Sequence, residues 1–300
     1  MQFTQGLIRA VQQHPQRLST ICEGRSRTYA QTAERVARLA AGFHAFGLGR
    51  GTRVAVLSFN SDFVLEAYLA VAWAGAVLVP VNFRWSVGEI AFSLDEAKCP
   101  VLIVGPDHLG CIDELRERCP GLKRIIALGR DDGEDGLLGA ESFIAHNRPV
   151  PDAGLGGDAL LGIFYTGGTT GLPKGVMLSH GSLGCSALAM MAEGYFQPGG
   201  CGLHTMPMFH LGGLILSTCL LLRANTQVIL PQFRVDAVLD DIEKRADDAG
   251  TRRCQTLDEV ESQDLARRSV GVLSPPVRER AFLDVIGMIA RYRPTRTCAL

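Results

Sequence analysis

Apolar positions in the first 130 residues keep two alternating rhythms. Over 28–46, Val36, Leu39, Ala40 and Phe43 recur at helical spacing, which predicts an amphipathic helix with one buried face. The stretch 53–58, centred on Val54, Ala55, Val56 and Leu57, is continuously apolar and reads as a buried strand. A helix over 62–74 follows, with Asn60 or Ser61 placed to cap it. The pattern repeats: a strand over 77–81, then a helix over 86–97 that opens with Ser86 and Glu89 in capping-box spacing. Further strands are expected over 100–104 and 124–128, with a helix over 109–118 between them. Strands that alternate with helices imply a parallel sheet covered on both faces, an α/β architecture.

Residues 130–157 are rich in Gly, Asp and Pro and read as a long surface connection. The apolar stretch 160–164 predicts a strand and 179–191 a helix. Beyond these come a strand over 201–206, an apolar helix over 211–222, a strand over 226–230 and a helix over 233–244. Near Arg245 the character changes. Residues 245–300 hold ten arginines, eight acidic residues and no lysine. The expected division is therefore 1–244 as an α/β domain and 245–300 as an atypical tail, out-of-frame or unstructured.

Composition narrows the function. A formal net charge of −1 gives no reason to expect nucleic acid or an anionic membrane as partner. The apolar run 67–81 is shorter than a bilayer span, and no transmembrane segment is expected. The first residues lack the apolar core of a signal peptide, so a cytoplasmic protein is expected. Nine scattered cysteines, none spaced C-x-x-C, read as reduced core residues rather than a disulfide framework or a zinc site. Asp62, Glu66, Asp95 and Glu96 read as solvated charges on helices, and Asn82 and Arg84 as a surface turn. His44, His108, His146 and His204 have no arrangement that suggests a metal.

The densest chemistry follows the strand at 160–164. The run Tyr165-Thr166-Gly167-Gly168-Thr169-Thr170-Gly171-Leu172-Pro173-Lys174-Gly175-Val176 contains four glycines, three threonines and one of the four lysines in the chain. Glycines let backbone N–H groups turn toward an anion, threonines add hydroxyl donors, and a lysine adds a compact positive charge. It is not the common P-loop, because Lys174 lies between Pro173 and Gly175 rather than in Gly-Lys-Ser/Thr, and no G-x-G-x-x-G dinucleotide fingerprint is present. The run resembles the signature loop of the AMP-forming adenylate-forming enzymes, among them acyl-CoA synthetases, aryl-CoA ligases, luciferases and peptide-synthetase adenylation domains. That signature is Tyr-Thr-Ser-Gly-Thr-Thr-Gly-x-Pro-Lys-Gly-Val, and it departs only at Gly167, where the family usually has serine. A second block, Met206-Pro207-Met208-Phe209-His210-Leu211-Gly212-Gly213, resembles the family's Pro-x-Phe-His-x-x-Gly segment.

The resemblance implies the N-terminal subdomains of the adenylate-forming fold, truncated, and an acid–thiol ligase chemistry. A carboxylate would attack the α-phosphate of ATP, and coenzyme A would then take the acyl group. It also implies roles. Thr166, Gly167, Gly168, Thr169, Thr170, Gly171 and Lys174 would hold the β- and γ-phosphates with Mg²⁺ sharing the neutralisation, and His210 and Gly212 would line the carboxylate pocket. Loss of the serine hydroxyl at Gly167 should weaken the loop without abolishing it. Ser179 is expected to cap the helix that follows. The family's later blocks are a Tyr-Gly-x-Thr-Glu run, a Thr-Gly-Asp run and a C-terminal lysine. None of them is found in this sequence, so the chain is expected to be catalytically incomplete, the alternative being a nucleotide- or acyl-binding remnant.

Overall fold

A computed structural model describes residues 1–133, 137–166, 173–194, 196–204, 206–232 and 254–255. They lie within one compact unit, Met1–Thr256. Both the helix expected over 233–244 and nearly all of the 245–300 tail lie outside the described residues.

The larger of two sheets has the strand order β7-β6-β5-β3-β4-β8-β9. Its strands are β3 (Arg53–Leu57), β4 (Val77–Pro80), β5 (Val101–Val104), β6 (Arg124–Ala127), β7 (Leu138–Gly139), β8 (Leu160–Thr166) and β9 (Lys174–Ser179). All neighbours are parallel except β8 and β9, which form an antiparallel edge hairpin. Strands β3 and β5 are almost continuously buried, as a sheet covered on both faces requires. Helix α4 (Val87–Glu96) starts with the capping box Ser86/Glu89, and with α5 (Ile112–Arg118) it closes one core over Leu57, Val79, Leu102 and Val104.

The smaller sheet has the order β12-β10-β11-β1-β2. It joins β1 (Leu18–Cys22) and β2 (Arg25–Thr28) to β10 (Cys201–His204), β11 (Thr226–Ile229) and β12 (Cys254–Gln255). Strands β1 and β11 pair in parallel, with Thr20 opposite Gln227. Helix α8 (Leu211–Leu222) packs against α1 (Gln5–Gln13) and α7 (His180–Ala192).

Two helices form the layer between the sheets. Helix α2 (Tyr29–Ala45) is capped by a Thr28/Gln31 box, and α3 (Asp62–Trp73) by the Ser61 hydroxyl, which accepts from the Val64 N–H at 3.1 Å. Both touch β1, and α3 also touches β3 and β4. This position explains why α3 is buried nearly all round rather than along one stripe. It also overturns the solvated reading of two carboxylates. Asp62 and Glu66 are 1% and 2% exposed, in a network with the guanidiniums of Arg25, Arg27 and Arg35. Arg35 reaches Glu66 at 2.9 Å and forks onto Glu141 at 2.6 and 2.9 Å. Burial pushes the Glu66 carboxyl upward, opposed by the guanidiniums of Arg35 and Arg27 within 3.3 Å.

The stretch 130–157 is more structured than a surface connection. It carries β7 and a short helix, α6 (Ala140–His146), whose Glu141 completes the buried network. Turn-forming residues on either side masked a helix of only seven residues. Six described cysteines carry free thiols, whereas Cys201 is disulfide-bonded, contrary to the expectation of reduced cysteines throughout. No described helix is long and apolar enough to cross a membrane.

Candidate functional site

Open parallel sheets place ligand contacts beyond the carboxyl ends of their strands. Here the ends of β3, β4, β5 and β8 in the larger sheet, and of β10 in the smaller one, carry the residues of interest.

Strand β8 ends at Thr166 and β9 begins at Lys174, and these two residues are cross-strand partners. The Thr166 hydroxyl lies 3.5 Å from the Lys174 carbonyl, and the Lys174 side chain is exposed. Gly167, Gly168, Thr169, Thr170 and Gly171, which the sequence expects to hold phosphate, fall outside the described residues. Thr166 and Lys174 thus bracket that segment, at the open end of an edge hairpin. Tyr165 anchors it from below. Its hydroxyl reaches the Ser93 carbonyl at 3.2 Å and the Glu96 carboxylate, so Glu96 is a bonded partner and not a free surface charge. Burial, with the Glu96 contact, pushes the Tyr165 hydroxyl well above its ordinary value. The Tyr165 ring meets Trp85 edge-on at 6.1 Å, which ties the loop base to the segment after β4.

That segment leads to the second block. After β4 comes Phe83, whose ring stands edge-on to Phe59 at 4.8 Å and to Phe209 at 4.9 Å. Phe59 follows β3 and also meets the His108 ring at 4.9 Å, beyond β5. Phe209 packs on His210 at 4.1 Å. An aromatic wall therefore runs from the end of β5 to the start of α8. His210 sits at the N-cap position of α8, yet its side chain makes no capping bond. Burial lowers its proton affinity, and the neighbouring Arg84 charge lowers it further, so the ring is neutral near pH 7. Gly212 lies half-buried in the first turn of α8. At Gly213 a Cβ would meet the Pro207 carbonyl at 2.6 Å and the Met208 Cα at 2.9 Å, so the helix start and the pocket segment can touch only at a glycine. Asn82 does form a turn, its Oδ1 accepting from the Arg84 N–H at 2.9 Å.

Ser179 behaves as expected, its hydroxyl accepting from the Ser182 N–H at 3.1 Å. The next residue was not legible in this way. His180 is buried, and its Nδ1 accepts from the Phe3 N–H at 3.1 Å, which fixes the start of the chain to the helix after the loop. Phe59, Asn60, Phe83 and His108 were also missed as site residues. The signal that could have found them is their common place, within a few residues of the ends of three parallel strands. Among the described residues no group of three or more His, Cys, Asp or Glu could hold a metal ion.

The arrangement joins a cation-bearing hairpin to an aromatic wall with a neutral imidazole, at the carboxyl ends of both sheets. Residues 7–246 match the AMP-binding enzyme family. A feruloyl-CoA synthase from Amycolatopsis is 34% identical over 240 residues, covering 79% of this chain and 45% of that protein. A long-chain-fatty-acid–CoA ligase from Thermus thermophilus is 37% identical over 213 residues, covering 70% and 38% respectively. The chain thus spans less than half the length of these relatives. Among solved structures, the inhibitor-bound N-terminal domain of FACL13 from Mycobacterium tuberculosis aligns with a TM-score of 0.71 at 27% identity, over 81% of this chain and 61% of that one. ATP-bound MatB from Rhodopseudomonas palustris aligns at 0.70 and 27%, over 81% and 48%. With the signature loop at the end of β8 and the family match running through both sheets, the chain belongs to the AMP-binding enzyme family.

Proposed function

We propose that this chain is the N-terminal part of an ATP-dependent carboxylate–thiol ligase. In the reaction a carboxylate oxygen attacks the α-phosphorus of ATP, the bond to pyrophosphate breaks, and pyrophosphate leaves. The sulfur of coenzyme A then attacks the acyl carbon, and AMP leaves. The observation that carries this reading is the signature segment held between Thr166 and Lys174, where an exposed ammonium stands at the end of a parallel-sheet strand.

The chain's own contribution is positioning and electrostatics. Thr166, Gly167, Gly168, Thr169, Thr170, Gly171 and Lys174 hold the β- and γ-phosphates, and Lys174 offsets charge as pyrophosphate departs. His210 and Gly212 line the carboxylate pocket. The neutral His210 ring suits that place: it orients a substrate already ionised and does not need to act as a base. ATP fits the cation and donors at the hairpin end. Among the described residues no group of three or more His, Cys, Asp or Glu could hold Mg²⁺, which would instead be held largely by the phosphates and share their neutralisation. The proposed compartment is the cytoplasm, in keeping with six free thiols, with the bonded Cys201 weighing the other way.

A second reading is a non-catalytic nucleotide- or acyl-binding remnant. It is favoured by the family match ending at residue 246, close to the change of composition, where the matched part is less than half of the relative. Residues 1–244 are then a partial adenylation domain and 245–300 a separate tail. Carboxylate-dependent ATP–pyrophosphate exchange decides between the readings, with the 300-residue chain and a panel of aromatic and fatty acids. The ligase reading expects exchange that drops by about a hundredfold or more in Lys174→Ala. Folded protein that binds ATP without exchange supports the remnant. Folded protein that binds neither ATP nor any acid overturns both.

A further inference from the structure

The pocket segment is held by a residue that belongs to the other sheet. Asn60 lies in the turn between β3 and α3, and it is 5% exposed. It does not cap α3, because the Ser61 hydroxyl does. Instead its Nδ2 donates to the Met206 carbonyl at 2.9 Å, and its Oδ1 accepts from the Met208 N–H at 2.7 Å. One amide therefore satisfies a donor and an acceptor on either side of Pro207, across nearly 150 residues of sequence. Proline has no N–H of its own, so this stretch cannot be tied by an ordinary ladder. The opposite side is closed by Gly213, against which Pro207 and Met208 press. Phe209 and His210 follow directly.

We propose that Asn60 is a positioning residue for the carboxylate pocket: its amide clamps the main chain at Met206 and Met208 and thereby sets where Phe209 and His210 stand. The proposal rests on the pocket reading of His210. An amide is the required group. Aspartate keeps the acceptor for Met208 but turns a second acceptor on the Met206 carbonyl, and alanine leaves the buried Met208 N–H and the half-buried Met206 carbonyl without this partner. The clamp also explains how one wall of the site can be built from two sheets, since Phe59, next to Asn60, belongs to the same aromatic row.

The test is ring ¹⁵N NMR of the full chain labelled at histidine, with the His210 signal assigned by His210→Gln and with benzoate and octanoate as probes. In Asn60→Ala, the His210 resonances should move and affinity for whichever acid binds should fall about tenfold. The buried His180 and His204 signals should stay in place. Asn60→Asp, which keeps the bond from Met208 and fills the same space, should give the same pattern and serves if the alanine variant does not fold. A variant that only melts earlier, with His210 resonances and acid affinity unchanged, overturns the proposal. If the wild-type chain binds neither acid, the pocket reading has failed, and the His210 shift alone then decides whether Asn60 positions the segment.

Discussion

At the scale of single residues, two buried histidines tie stability to pH. Burial pushes His180 down to about 4, with the chain's N-terminal ammonium adding to the effect. Burial takes His204 to about 4 as well, against a hydrogen bond between its Nε2 and Gln227 at 2.9 Å. Each ring is neutral in the folded chain and binds a proton more readily when unfolded, near 6.5. Their contribution is therefore complete above pH 6.5, falls as pH drops toward 4, and is gone below that. Each contributes on the order of 3 kcal/mol across this window. Urea midpoints taken from pH 7.5 to 4 should fall steeply, and less steeply in His180→Asn. An identical slope in that variant would show that His180 is not held neutral. Little of this was legible beforehand. The spacing around Lys174 carries the expectation of an anion site because glycine, threonine and lysine do similar work wherever they meet. His180 and Asn60 reveal nothing locally, because their partners at Phe3, Met206 and Met208 lie far along the chain.

Among the elements, α3 shows what a central position demands. A helix between two sheets must bury its whole circumference, so Asp62 and Glu66 can stay charged only beside Arg25, Arg27 and Arg35. The Phe63 ring lies among the same guanidiniums, 4.8 Å from Arg25 and 5.2 Å from Arg27. Removing one partner leaves the others desolvated. Glu66→Ala is expected to destabilise the chain by about 3–5 kcal/mol, read from urea unfolding. A loss below about 1 kcal/mol would mean that Glu141 alone satisfies Arg35. Periodicity located α2, α3, α4 and α8 to within a few residues, and the caps at Ser61, Ser86 and Ser179 were visible as serines before apolar runs. It hid α6, which is too short to show a period, and β9, whose residues Lys174 to Met177 are exposed on a sheet edge and so lack a buried alternation. Charges on α3 were misread because a helical pattern cannot say whether a second layer covers its polar side.

For the whole molecule, alternating strands and helices made a covered parallel sheet predictable, but not that the chain would build two. The second sheet draws its strands from both ends of the described sequence, and no local pattern records that pairing. The register of β1 beside β11, Thr20 against Gln227, has a consequence for how the protein is made. Strands β3 to β6 are complete within residues 53–127 and can pair as they leave the ribosome. Strand β1 emerges earlier than any of them, yet its parallel neighbour appears some 200 residues later, a delay of roughly 10–40 s at ordinary synthesis rates. Through that interval one side of the nascent N-terminus is an unpaired strand edge, open to proteases and chaperones. Limited proteolysis of stalled chains can time the event. Cleavage within β1 and β2 is expected when the exposed portion stops before β10, and protection once β11 is out. Protection at the earlier point would mean that β1 and β2 hold as a hairpin without their sheet.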